Sequence, residues 1–406
     1  MPFRHPIERR HLLSLIAAST ACAGAWLAGC SETSSPERAG ADGSSDEGAR
    51  AASFRNTDLG CDLGAAQPIE LDAARNFTLD RLEDGEVLIC TAGDERFLVV
   101  DAPWSAPDGL AEDIALIRRP LTSVYLVSTG MICLLDEIDA LDSVSVCSVT
   151  ADDSPNERLA EKIRAGKIAY GGKYRSPDFE LIAEAGCTLA IENTKINHAP
   201  DAKRKLQDLD VAVLTEQSSS EPEVLGRLEW IKLMGVLFDR EDAAQAAYGD
   251  IAERVRGIAS LEPTGKTVAF FYINEDGAAV TRRSTDYFSQ MIDMAGGTFV
   301  AFDPDDEEDG SSSVQSVIDL ETFYATAKDA DVIIYNTTVD TAVTDIDDIL
   351  DKNPLLADMA AVRSGEVYAC DENMYQAMNA TDEILEDIRS ALEESLPANG
   401  YLWKLA

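Results

Sequence analysis

The sequence predicts an α/β protein of two Rossmann-like α/β lobes joined by a single long helix. Three observations carry this expectation. Short apolar strands alternate with helical stretches in the first half of the chain, residues 223 to 262 read as helical without a strand, and the alternation restarts at Thr267. Such alternation makes a mainly parallel sheet covered by helices on both faces. A chain of 406 residues also exceeds what a single core usually organises, so two lobes are expected.

The chain opens with a basic segment carrying Arg4, Arg9 and Arg10, followed by an apolar, small-residue stretch over residues 12 to 28. Leu27-Ala28-Gly29-Cys30 then forms a lipobox. Residues 1 to 29 read as a lipoprotein signal peptide, removed on export, with the Cys30 thiol carrying the lipid. Two or more acyl chains hold a protein stably on a membrane where one does not, so an extracytoplasmic, lipid-anchored location follows. Arg9-Arg10 also resembles a twin-arginine signal, which leaves the export route open. No later segment has 18 consecutive apolar residues, the length a membrane span needs.

Residues 30 to 56 are rich in Ser, Glu, Gly, Ala and Asp and bury too little to fold, so they read as a disordered acidic tether. Folding is expected from Thr57, with a first lobe over residues 57 to 222. Phe77-Thr78-Leu79, Val87-Leu88-Ile89-Cys90 and Phe97-Leu98-Val99-Val100, separated by Glu83-Asp84-Gly85 and Ala92-Gly93-Asp94, read as antiparallel strands. Buried strands follow at Ser123–Val127, Lys167–Tyr170, Leu189–Ile191 and Ala212–Leu214, with helices at 131–140, 155–165, 177–185 and 200–207.

The linking helices span 223 to 262, with Asp239 as a plausible N-cap for the second. Ala244, Ala247, Tyr248, Ile251, Val255 and Ile258 make one apolar stripe at helical spacing. The second lobe, residues 263 to 406, has strands at Thr267–Tyr272, Val332–Tyr335 and Val367–Ala369. Its helices carry Tyr287 to Met294 and residues 318–327 and 381–394, and an acidic Gly/Ser-rich loop covers 303–313.

Composition excludes several function classes. The formal charge is −40, which excludes nucleic acid as a partner. Of three histidines only His198 survives removal of the signal, so zinc sites with two or three imidazoles are excluded. No Gly-x-Ser-x-Gly elbow supports that one histidine, so no catalytic residue is assigned and the chain is not read as an enzyme. His198 itself reads as a loop residue leading into a helix. Cys61, Cys90, Cys133, Cys147, Cys187 and Cys370 have irregular spacings, compatible with buried thiols or with one or two disulfides.

Several strings then carry a resemblance. Ala169-Tyr170-Gly171-Gly172-Lys173-Tyr174-Arg175-Ser176-Pro177-Asp178-Phe179-Glu180, Leu225-Gly226-Arg227-Leu228-Glu229-Trp230-Ile231-Lys232, Tyr287 to Gly297 and Phe323 to Asn336 resemble the substrate-binding lipoproteins of ABC importers for iron complexes and cobalamin. The resemblance implies the helical-backbone, class III periplasmic-binding fold with a small hinge motion. It implies an ABC permease dimer with ATPase subunits as partner, and an iron chelate or corrinoid as bound ligand, with no resident cofactor. A haem receptor, or a surface ligand sensor uncoupled from transport, is the alternative. It also implies that Glu180 and Glu321 dock with permease arginines, through oriented carboxylate–guanidinium bonds.

Ligands of open α/β sheets meet the loops at the carboxyl ends of strands. The cleft candidates there are Ser128, Thr129 and Met131, Lys173, Tyr174 and Arg175, Asn193 and Ser218 in the first lobe. In the second lobe they are Tyr272, Arg282, Arg283, Tyr287, Asn336 and Tyr375, the last within Asn373-Met374-Tyr375. The lysine and arginines suit carboxylate or catecholate-type oxygens, and the tyrosines and Met131 a flat chelate.

Overall fold

A computed structural model describes residues 58–302, 315–396 and 400–406. The expected signal peptide, Cys30, the expected tether and the acidic loop over 303–313 lie outside the described residues. The first lobe opens with a five-stranded sheet in the order β1 (Gln67–Pro68), β2 (Phe77–Arg81), β3 (Val87–Thr91), β4 (Arg96–Asp101) and β5 (Ile114–Arg119). Its pairs are antiparallel except β4 with β5. The period of two explains why β3 and the middle of β4 are apolar on both faces. Val87, Ile89, Phe97 and Val99 enter the main core, whereas Leu88, Cys90, Leu98 and Val100 fill a separate cluster with Leu59 and Ile114 behind the sheet.

The chain then builds the expected parallel sheet from β6 (Val124–Leu126), β7 (Val144–Cys147), β8 (Ala169–Tyr170), β9 (Leu189–Asn193) and β10 (Ala212–Glu216), in the order β10-β9-β6-β7-β8. Helices α1 (Gly130–Glu137), α2 (Glu157–Arg164), α3 (Phe179–Glu184) and α4 (Pro200–Gln207) connect the strands.

The linking region is α5 (Val224–Phe238) and α6 (Glu241–Ala259). Asp239 does not cap α6. It ends α5 in the left-handed conformation (φ 55°), and Arg240 takes the N-cap position without a side-chain bond. The reason is geometric: the Arg240 N–H returns to the Gly235 carbonyl at 2.8 Å, so the chain must reverse at Asp239, where a short polar side chain tolerates positive φ. The two helices pack on each other, and α6, 19 residues long and so about 28 Å, leads from the first lobe into the second. Almost every residue of α5 is buried, the charged Arg227, Glu229 and Lys232 included.

The second lobe carries one sheet in the order β14-β12-β11-β15-β16-β17, with β13 (Thr298–Phe299) beside β11. Strands β11 (Thr267–Ile273), β13, β15 (Val332–Tyr335) and β16 (Val367–Cys370) are parallel. Antiparallel additions β12 (Ala279–Arg282), β14 (Gln315–Ile318) and β17 (Leu402–Lys404) extend the edges. Helices α7 (Tyr287–Met294), α8 (Leu320–Ala327), α9 (Ile346–Lys352), α10 (Ala360–Ser364) and α11 (Thr381–Leu392) cover it. The main core runs without a break from Phe77, Leu126 and Leu134 through Trp230 and Tyr248 to Phe270, Phe288, Tyr368 and Leu385. The lobes therefore share one core through α5 and α6.

The string Leu225–Lys232 is largely structural. The fully buried Glu229 accepts the N–H groups of Asp72, Ala73 and Ala74 at 2.8 Å each and pairs with Lys232 at 2.5 Å. Trp230 donates to Glu221 at 2.9 Å and meets Phe77 edge-on. Lys232 also lies 4.2 Å from the Tyr248 ring centroid. Buried charges persist when paired and hydrogen-bonded, and here they tie the first sheet to the linking helices.

Candidate functional site

A cleft of about 1030 Å³ opens between the lobes at the carboxyl ends of β6, β7 and β16. The first lobe contributes Thr129, which precedes α1, with Ile132, Cys133, Pro155 and Asn156. Thr129 holds the N-cap position without using its side chain there, so its hydroxyl is available to the cleft. The second lobe contributes Asp371 and the turns that follow β16, with Asn373, Gln376 and Asn379. Glu383, Glu386 and Asp387 come from one face of α11, and Gly400, Tyr401 and Trp403 from the approach to β17. Asn379 donates to Glu137 of α1 at 2.9 Å and closes one rim.

Electrostatically the cleft is acidic. Burial, then the neighbouring Asp382 and Asp387, push the Glu383 carboxyl up. Burial also raises the Asp387 carboxyl, against hydrogen bonds from the Leu402 and Tyr401 N–H groups at 3.2 and 2.5 Å. The Tyr401 phenol is pushed up to about 12 by burial and by Glu383 and Asp371.

Of the cleft residues expected from sequence, Thr129 lines this space, as does Asn373 beside Tyr375. Most of the others are placed elsewhere. Met131 is wholly buried in the main core, because it sits on the inward face of α1. Ser128 and Ser218 are buried and both donate to the Glu216 carboxylate, at 2.8 and 2.7 Å, so their hydroxyls are spent inside the lobe. Asn193 caps the turn after β9 through the Lys195 N–H at 3.0 Å. Asn336 is buried and accepts from Thr338 at 2.6 Å. Tyr272 packs against the far core of the second lobe.

Lys173, Tyr174 and Arg175 lie on the loop between β8 and α3, with Lys173 and Arg175 exposed and Arg175 5.5 Å from the Tyr174 ring centroid. None of the three lines the cleft. Two glycines shape this loop. A Cβ on Gly171 would lie 2.2 Å from Val146 Cγ1, and Gly172 has φ 82° with its carbonyl accepting from the Tyr125 hydroxyl at 3.0 Å.

Tyr287, Tyr375 and Arg282 do meet, in a packed stack beside the cleft. The Arg227 guanidinium lies 3.5 Å from the Tyr287 centroid, and Tyr287 meets Tyr375 edge-on at 6.2 Å. Arg282 lies 4.6 Å from the Tyr375 centroid and 3.7 Å from Asp286. Arg227, Tyr287 and Tyr375, with Met291, Met374 and Met378, surround a cavity of only about 10 Å³, room for one water at most. The stack therefore clamps α5 to the second lobe. Arg283 lies half-buried at the end of β12, where its carbonyl accepts from Ser289 at 2.8 Å.

Glu180 and Glu321 occupy matching places. Each is exposed at the second position of its helix, after an aspartate that fills the N-cap. Asp178 accepts the Leu181 N–H at 3.0 Å, and Asp319 accepts the Thr322 N–H at 2.9 Å. The caps are thus supplied by the aspartates, and neither glutamate side chain makes a hydrogen bond or ion pair among the described residues. The six described cysteines are all free thiols, five of them buried.

Sequence reasoning misses the acidic wall. Its signal is the spacing of Glu383, Glu386 and Asp387 on one face of α11, masked by 74 acidic residues in the chain.

Residues 123–374 match the family model described as periplasmic binding protein. An uncharacterized lipoprotein of Methanocaldococcus jannaschii is 25% identical over 320 residues, 74% of this chain and 73% of that protein. The fold is similar to a periplasmic heme binding protein from Pseudomonas aeruginosa (TM-score 0.54, 16% identity), covering 70% of this chain and 98% of that one. It is also similar to a periplasmic catecholate-siderophore binding protein from Vibrio cholerae (TM-score 0.52, 15% identity), covering 66% of this chain and 93% of that one.

Proposed function

The chain belongs to the periplasmic binding protein family, and on that premise we propose that it is a lipid-anchored receptor for an ABC importer. It captures an intact iron chelate or a corrinoid between its lobes and delivers it to the permease. The observation that carries this reading is the interlobe cleft of about 1030 Å³ at the carboxyl ends of three strands. That volume lies at the upper end of small-molecule sites, large enough for a metal chelate or macrocycle. The similarity in fold to heme- and siderophore-binding proteins supports the same class of ligand.

The unbroken core through α5 and α6 makes closure a small hinge motion. Glu180 and Glu321, exposed at equivalent helix starts on the two lobes, are the proposed permease contacts. Anchoring through Cys30 keeps the receptor near its permease and raises their effective concentration.

Trp403 lines the cleft at 39% exposure, whereas Trp230 is buried, so binding is readable by fluorescence. Titration with ferric siderophores, haem and cobalamins should quench emission with at least one of them, and Trp403→Phe should remove most of that change. Absence of binding by every one of these would refute the reading. Glu180→Ala with Glu321→Ala should leave binding intact and abolish uptake into cells.

A further inference from the structure

Resting on the receptor reading, we infer that the ligand has a net charge of zero or above and presents N–H donors to the α11 wall of the cleft. The charged groups of the lining are all acceptors. Glu383 and Glu386 supply carboxylates, as do Asp371 and Asp387, which already accept backbone N–H groups. Asn373, Gln376 and Asn379 add carboxamides, whereas the Asn156 oxygen is spent capping α2. Among the described residues no lysine, arginine or histidine lines the cleft.

The nearest cations pack beside the cleft rather than lining it, although the Nε atoms of Arg227 and Arg282 are buried there without a hydrogen-bond partner. Arg282 is held against Tyr375 and Asp286, and Arg227 against Tyr287. Lys173 and Arg175 stand on the outer loop of the first lobe. A second observation is independent of charge: the Gln376 Oε1 atom is buried with no hydrogen-bond partner, an acceptor whose desolvation only a donor would offset. The field at Glu383 is net negative: burial first, then Asp382, Asp387 and Glu386, push its carboxyl up against the opposing pull of Arg254, which pairs with Asp382.

A polyanionic ferric tris-catecholate would bring like charge against this wall, and like-charge juxtaposition in a desolvated site is strongly disfavoured. Two chemistries share the required donors. One is a neutral corrinoid edged with amide groups; the other is a chelate carrying a protonated amine.

The test titrates the protein, following Trp403 emission, with three probes. They are cyanocobalamin (neutral, amide-rich), ferrioxamine B (a hydroxamate complex with a free ammonium) and ferric enterobactin (a tris-catecholate trianion). Cyanocobalamin or ferrioxamine B should bind at least about tenfold tighter than the trianion, and Glu383→Gln with Glu386→Gln should shrink that preference about tenfold. Both glutamates are exposed, so the variant should keep the parent's melting temperature. Added salt should weaken ferrioxamine B and spare cyanocobalamin, which separates the two sources of donors. Tightest binding by the trianion, or a preference unmoved by the double substitution, would overturn the charge assignment and leave the receptor reading standing. No response to any of these probes, nor to haem, would overturn both.

Discussion

Glu192 offers the sharpest test of the physical reading of the first lobe. It lies at the end of β9, paired in register with Thr215, fully buried, and both its carboxylate oxygens lack hydrogen-bond partners. Burial pushes its carboxyl from 4.5 up to about 8, only partly opposed by Lys203. A folded-state value raised above the unfolded one means that the fold favours the protonated acid. Stability from this group is complete below about pH 4.5 and is lost as pH rises through 8. Between pH 5 and pH 8 the loss is of order 3 kcal/mol, since each tenfold fall in proton activity costs the protonated fold about 1.4 kcal/mol. Glu192→Gln mimics the protonated form, so the variant should match the parent at pH 5 and exceed it by that amount at pH 8. Urea unfolding at the two values reads this as a midpoint difference of roughly 1 M appearing only at the higher pH. An equal difference between variant and parent at both pH values would refute the argument.

Removing a paired buried charge should be costly in the other direction. Glu229→Ala leaves Lys232 and three backbone N–H groups without their acceptor, and should cost about 3–5 kcal/mol in urea unfolding. Gly172→Ala should destabilise the β8–α3 loop by about 1–3 kcal/mol, because its φ is 82° and the new Cβ would lie 2.3 Å from the Ser176 carbonyl oxygen. Calorimetric melting of each variant checks both, and a melting temperature equal to the parent's would count against either assignment.

Much of the architecture is legible because it depends on local pattern. The antiparallel run of β2 to β4 and the strands β6, β8, β9, β10, β11, β15 and β16 are apolar stretches bounded by turn residues. The edge strands β14 and β17 escape such a reading, as do the outer β5 and the inner β7 and β12. Edge strands need fewer apolar residues, and β14 even exposes Val317 at 66%. The break at Asp239 is visible in the sequence but its role there comes out reversed, since an aspartate serves both as an N-cap and as a left-handed residue. Only the hydrogen bond from Arg240 to Gly235 distinguishes the two.

The candidate site is less legible. Loops after strands mark the right region, but direction along a helix or strand decides which side chain enters the cleft. Met131 turns into the core while Thr129, two residues earlier, lines the cavity. Ser128 and Ser218 are plausible ligands by position, yet Glu216 claims both hydroxyls.

From the sequence alone come the two α/β lobes and the linking helices, because periodicity and composition are local properties; the pairing of the helix starts at Glu180 and Glu321 is what the family resemblance implies. Only the tertiary structure decided the charge of the cleft. Asp371 and the α11 carboxylates are separated from Thr129 by more than 240 positions and meet it only when the lobes pack across α5 and α6. Arg227, Tyr287, Tyr375 and Arg282 became a clamp beside the cleft for the same reason.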